Sequence, residues 1–320
     1  PESETVGEVA MKKRILLSVD DSVHSRNAVR YAVEMTESIR ELHFTLFQIQ
    51  PRPSGYLVDE ARTSFRAKNA LEKFRGKRAA AANACLEEFR TEMEAMGIDP
   101  DRVECQTRPP KLDKARDILD YAQERQFDAI VMGRRGVGKV TEMIMGSVAK
   151  KVVEYSQVIP VWIVDGKVES RRILLAVDGS ESARRAVDHV SFMLMNSPHV
   201  YVTLFHVTAW LGESCEMGPS EAEEDDPEKL IAQRDGRCFD SFIIGARKKF
   251  IEAGLSPKQI DVRQVKKTIS VARSIVSEAE AGRYGTVVVG RKGVDRAFYT
   301  GSVSNFVLDR SSDRAVWLVS

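Results

Sequence analysis

The sequence predicts an α/β protein built of two tandem doubly wound domains, each a five-stranded parallel sheet, paired through their last strands. The first observation behind this is a repeat. Arg14-Ile-Leu-Leu-Ser-Val-Asp20-Asp-Ser22 returns as Arg172-Ile-Leu-Leu-Ala-Val-Asp178-Gly-Ser180, 158 positions later. Gly133-Arg-Arg-Gly136 with Gly146-Ser147-Val148 returns as Gly290-Arg-Lys-Gly293 with Gly301-Ser302-Val303, at offsets of 157 and 155. The second is length, since 320 residues divide into two units of ordinary domain size. The third is patterning: apolar runs without polar alternation are separated by stretches of helical spacing, as in a sheet covered on both faces. The expected divisions are a polar, disordered lead-in over 1–11, with Met11 an alternative start, a first domain over 12–166 and a second over 167–320.

Each half opens with an apolar strand, 15–19 and 173–177, running into Asp/Ser residues suited to a helix N-cap. The helix of the second half places Ala183, Ala186, Val187, Val190 and Leu194 on one face, and Ala28, Val29, Ala32 and Val33 do the same in the first. Second strands follow at 44–49 and 200–207. The copies then diverge: a basic stretch over 62–78 merges into an alanine-rich helix in the first half, whereas the second carries an acidic run over 221–228. Both read as solvated loop and helix faces. Third strands at 103–107 and 261–265 precede helices with Ala115, Ile118, Leu119 and Ala122, or Ala272, Ile275, Val276 and Ala279. Fourth strands at 129–132 and 286–289 run into the glycine loops, and fifth strands at 159–164 and 316–319 close each half. Alternating strands and helices imply parallel pairing with right-handed crossovers, and ligands at the carboxyl ends of strands where the order reverses.

Composition narrows the functional classes. Forty-eight basic and 47 acidic residues give a net charge of +1, so no global field favours nucleic acid or an anionic membrane as partner. The apolar runs are far shorter than a bilayer span, and the N-terminus lacks the pattern of a signal peptide. Cys85, Cys105, Cys215 and Cys238 share no CxxC spacing and are expected as reduced thiols in a cytoplasmic setting. His24, His43, His189, His199 and His206 form no ligand cluster, so neither a metal site nor a His-based triad is expected.

The chemistry lies in the glycine loop. Glycines let backbone N–H groups approach a ligand, and Gly146-Ser147 at a helix start offers unpaired donors at the positive end of the helix dipole. Arg134, Arg135 and Lys139 make this anion site locally cationic. Gly133-x4-Gly138-Lys139 is one residue short of a Walker A motif, with Val140 where Ser or Thr belongs, and is read as coincidence. No GxGxxG follows either first strand.

What remains, Gly133-x2-Gly136-x9-Gly146-Ser147 after an Asp-terminated first strand, in tandem layout, resembles the universal stress protein family and its nucleotide-binding branch, over nearly the whole chain. The resemblance implies the adenine nucleotide alpha hydrolase-like fold. It implies that Asp20 meets the nucleoside, that backbone at Ile49 and Met132 frames adenine, and that Gly133, Gly136, Gly146, Ser147 and Val148 wrap ribose and phosphates. Arg134 joins them as a loop cation. Asp20 could equally cap the following helix, and the glycines could serve tight turns and close packing; binding is favoured in the first half. In the second half the loop between Gly293 and Gly301 has seven residues where the first has nine, and carries Asp295, Phe298 and Tyr299. Asp178, Val207, Gly290, Gly293, Gly301 and Ser302 are its residual equivalents, with weaker binding expected.

The leading expectation is a non-catalytic, ATP-binding regulatory protein of the stress response, with or without Mg²⁺ on the nucleotide, and with AMP or another adenine nucleotide as the alternative ligand. A slow ATPase acting as a conformational switch and a nucleotide-free interaction scaffold are the alternatives. The apolar fifth strands predict a pseudo-dimer within the chain, with Trp162 and Trp317 either at that seam or filling each core. Homodimerisation of the whole chain is a further expectation.

Overall fold

The computed structural model describes residues 12–111, 113–136, 145–209, 227–268, 270–291 and 301–320. In the first half the strands are β1 (Lys13–Ser18), β2 (Leu42–Ile49), β3 (Val103–Arg108), β4 (Ala129–Gly133) and β5 (Val161–Val164). The second half contributes β6 (Arg172–Val177), β7 (Tyr201–Ala209), β8 (Ile260–Thr268), β9 (Thr286–Gly290) and β10 (Ala315–Val319). They form one ten-stranded sheet in the order β3-β2-β1-β4-β5-β10-β9-β6-β7-β8. All pairings within a half are parallel, and β5 meets β10 antiparallel. The last strands therefore join the halves, as their apolar edges demand. Because β5 and β10 run in opposite directions, the carboxyl ends of the two sets of strands lie at opposite ends of the sheet.

Helices cover both faces. One is packed by α1 (Val23–Glu34), α3 (Phe65–Ala95), α6 (Glu181–Met193) and α7 (Pro227–Glu252), which bury residues such as Ala28, Phe89, Ala186 and Phe250 with Ile15 and Leu17 of β1. The other carries α4 (Lys114–Glu124), α5 (Ser147–Tyr155), α8 (Val271–Ala281) and α9 (Ser302–Arg310), whose Ile118, Val152, Ile275 and Val307 pack with Leu16. Successive β1 residues thus point to opposite, equally apolar layers, which explains the absence of alternation in the sequence. A short α2 (Gly55–Glu60) precedes α3.

The seam is built from aromatic pairs that respect the repeat. Trp162 and Trp317 sit opposite each other in the β5–β10 register, both fully buried, with rings stacked at 3.8 Å between centroids and 1° between planes. Both expectations for the tryptophans thus hold together, because the seam is the core. Each indole N–H crosses to the opposite half. Trp317 donates to the Tyr31 hydroxyl (2.8 Å) and Trp162 donates to Nε2 of His189 (3.1 Å). Tyr31 and His189 are the same position of the repeat, 158 residues apart. Burial holds His189 down at a pKa of about 3, so it accepts this bond as a neutral ring.

A second pair of crossings involves the arginine after each fourth strand. Nη2 of Arg134 donates to Asp309 O (2.8 Å) and Nη1 to Ser311 O (3.3 Å), at the end of α9. Arg291 reciprocates by donating to Glu154 O at the end of α5. Cations at helix C-termini satisfy orphan carbonyls and favour the dipole. Arg134, expected in the cationic loop, is in fact 3% exposed, with its guanidinium in the seam. The physical reason is that carbonyls left unpaired at a buried helix end need a donor, and the residue following β4 is the one that reaches them.

Candidate functional site

At the carboxyl end of the first half, β2, β1 and β4 are neighbours, so Ile49, Asp20, Met132 and Gly133 meet on one rim although distant in sequence. This is where strand order turns from β1 to β4. The sequence-level ambiguity over Asp20 resolves here. The cap of α1 is Ser22, whose side chain accepts from Ser25 N, and Asp20 instead accepts from the Ser25 hydroxyl through Oδ1 (2.7 Å). Its carboxylate lies against Gly136: a Cβ at that glycine would stand 2.4 Å from Asp20 Oδ2. The motif glycine and the strand-end aspartate therefore form one surface.

Gly133 has a different reason to be glycine. A Cβ there would meet the backbone carbonyl of His24 in α1 at 2.7 Å, and at Gly290 it would meet the backbone of Ser182 at the same 2.7 Å. His24 and Ser182 are again 158 residues apart. Close packing of α1 on β4, and of α6 on β9, accounts for glycine at both places. Gly133→Ala and Gly290→Ala should each lower stability by about 1–3 kcal/mol through overpacking. Urea unfolding checks this, and unchanged midpoints would refute the packing role.

Beyond the loop, α5 begins at Ser147 with Gly146 as N-cap and no side-chain cap. Gly146 N itself donates to Arg134 O (2.9 Å), which ties the start of α5 to the end of β4. The N–H groups that follow, at Ser147 and Val148, lie where a helix attracts anions. A hollow of about 150 Å³ opens there, lined by Asp113, Lys114, Ser147, Val148 and Lys151. Lys151, one turn beyond Ser147, is paired with Asp113 at 3.6 Å. Arg135 is held by Asp165 at 3.1 Å, close enough to His24 that burial first and then this guanidinium keep the imidazole below its ordinary pKa. Lys151 and His24 went unnoticed in the sequence. Lys151 was detectable as the i+4 neighbour of Ser147, but His24 carries no signal outside the fold.

The second half repeats the frame at the opposite end of the sheet. Gly301 caps α9, again without a side-chain bond, and Ser302 begins it. Asp178 turns back to accept from Ser180 N (3.0 Å), and Ala183 stands where the first half has Ser25. Nδ1 of His206 bonds the carbonyl of Val177 at 2.8 Å, and the pairing of β7 with β8 shifts register between Val207 and Ala209. Gly138, Lys139 and Val140 lie outside the described residues, as do Gly293, Asp295, Phe298 and Tyr299. Among the described residues no group of three or more His, Cys, Asp or Glu side chains could hold a metal ion, and no helix is long and apolar enough to cross a membrane.

Comparison with known proteins agrees with the topology. The model of the universal stress protein family matches twice, at residues 11–165 and 169–319. A universal stress protein of Mycolicibacterium smegmatis is 28% identical over 135 residues, which is 40% of this chain and 45% of that protein, so the match spans less than half of its length. Among solved structures, a universal stress protein from Archaeoglobus fulgidus superposes with a TM-score of 0.66 at 20% identity, covering 96% of this chain and 98% of the other. A protein of unknown function from Pseudomonas aeruginosa gives a TM-score of 0.59 at 14% identity, covering 96% and 92%. With its duplicated sheet and both glycine loops inside matched segments, the chain belongs to the universal stress protein family.

Proposed function

We propose that this protein binds an adenine nucleotide, ATP in the leading reading, on the rim of the first half, and acts by holding it as a regulatory component of a stress response. The observation that carries this is the pairing of two groups on one rim: the Asp20 carboxylate, not used to cap α1, and the start of α5, which has no side-chain cap. A carboxylate accepts hydrogen bonds from ribose or adenine, and free helix N–H groups receive phosphate. Gly136 keeps the space beside Asp20 open. The first half is the better holder because its loop is two residues longer and lacks the carboxylate of Asp295. The unpaired thiols of Cys85 and Cys105 fit a cytoplasmic setting.

Titration calorimetry with ATP and with AMP tests the reading. One site per chain is expected, and at a ligand concentration about 100 times Kd the binding half should gain roughly 2.7 kcal/mol of stability. No heat and no thermal shift at millimolar nucleotide would overturn nucleotide binding, and two equal sites would overturn the dominance of the first half. Phosphate release from ATP with magnesium is expected at background, and turnover abolished by Gly136→Val would overturn the holding role.

A further inference from the structure

Outside the site, the most unusual feature is the N-terminal part of α3. Its level against the sheet is fixed by contacts further along: Cys105, midway in β3, bonds Leu86 O, and Arg26 near the start of α1 pairs with Glu88 and Glu92. Residues 65–85 continue past these contacts for about 30 Å at 1.5 Å per residue, whereas only three residues of β3, about 10 Å, remain beyond Cys105. The first turns of α3 therefore stand about 20 Å clear of the sheet, braced by α2, with Phe65 79% exposed. This arm is strongly basic. Residues 62–78 hold seven arginines and lysines against one acid, Glu72, and all seven are exposed.

The charge that answers it lies in the other half of the same sequence. Residues 213–228 contain eight acidic side chains and no basic one, and they are tethered between Ala209 of β7 and α7. This segment cannot meet the arm of its own chain. From β2 to β7 there are seven strand spacings, about 34 Å, and the two halves point to opposite ends of the sheet. The seventeen residues 210–226 must leave and return to the same rim, so they reach at most about 29 Å from it. That falls short of the lateral distance alone, before the height of the sheet is added.

We infer that the basic arm of one chain docks the acidic segment of a second copy, so that the protein forms a reciprocal dimer held by these two charged contacts. With arm and acidic segment at opposite ends of each molecule, a two-fold arrangement makes both contacts at once. The global balance of +1 conceals this polarity, which is why the composition points to no partner.

Sedimentation of the full chain at about 50 and 500 mM salt, where the screening length falls from roughly 14 to 4 Å, provides the test. A dimer at low salt that dissociates at high salt is expected. Lys68→Glu/Lys73→Glu/Lys77→Glu on the arm should give a monomer at low salt, as should Glu223→Lys/Glu224→Lys/Asp225→Lys on the segment, each melting as the parent does. Mixing the two variants should restore the dimer, because each then offers what the other needs. A parent that is monomeric at both salts, a dimer indifferent to arm reversal, or variants that fail to combine would each overturn the inference. So would an arm whose reversal changes only retention on heparin or anionic vesicles.

Discussion

Replacing Trp317 with alanine is expected to destabilise the protein by about 3–5 kcal/mol, among the largest effects of any single truncation in this core. The ring is fully buried, and its loss removes the stack on Trp162, worth about 0.5–1.5 kcal/mol beyond burial. It also removes the indole bond to Tyr31, although that hydroxyl keeps its bond to Thr286 (2.8 Å). Trp162→Ala should cost about as much, because it leaves the neutral His189 ring without the donor it faces. The two losses should sum to more than the double variant shows, since both single changes delete the same stack. Urea unfolding measures all three. A Trp317→Ala variant weakened by less than about 1 kcal/mol would mean that the seam is not what holds the halves.

Gly136→Val is the complementary experiment, aimed at the site and away from the core. Its Cβ would fall 2.4 Å from Asp20 Oδ2, and that carboxylate cannot swing away without losing the Ser25 hydroxyl at 2.7 Å. Added methyl groups then occupy the space where the nucleoside is proposed to lie. Adenine nucleotide affinity should fall at least tenfold, about 1.4 kcal/mol or more, with little change in unfolding midpoint because Gly136 is only half-buried. Calorimetry on the parent and the variant decides it. Undiminished affinity would remove Asp20 and Gly136 from the proposed site.

Much of the frame was legible in the sequence because parallel strands buried on both faces leave continuous apolar runs. Residues 15–19 and 129–132 declared themselves this way, and the doubled Val-Trp pattern announced strands that meet each other. The reason for each glycine was not legible. Gly133 and Gly136 sit three residues apart in one motif, yet the first is glycine because His24 backbone leaves no room and the second because it faces Asp20. A sequence records the missing side chain in both cases and the neighbour in neither. Arg134 was misread for a related reason: a basic residue in a glycine loop suggests phosphate, whereas its real partners, Asp309 O and Ser311 O, are carbonyls about 175 positions away. The capping reading of Asp20 fell to Ser22, which stands two residues on and was equally suited to the role.

The Trp162–Trp317 stack also gives the molecule a built-in optical reporter. The chain has three tryptophans, and these two lie together in the driest part of the interior, with no water at the indole faces to shift their emission. Once Trp210 is replaced by phenylalanine, intrinsic fluorescence comes from a single location. Its red shift marks the moment the halves part, and it stays silent while a ligand settles on either distant rim.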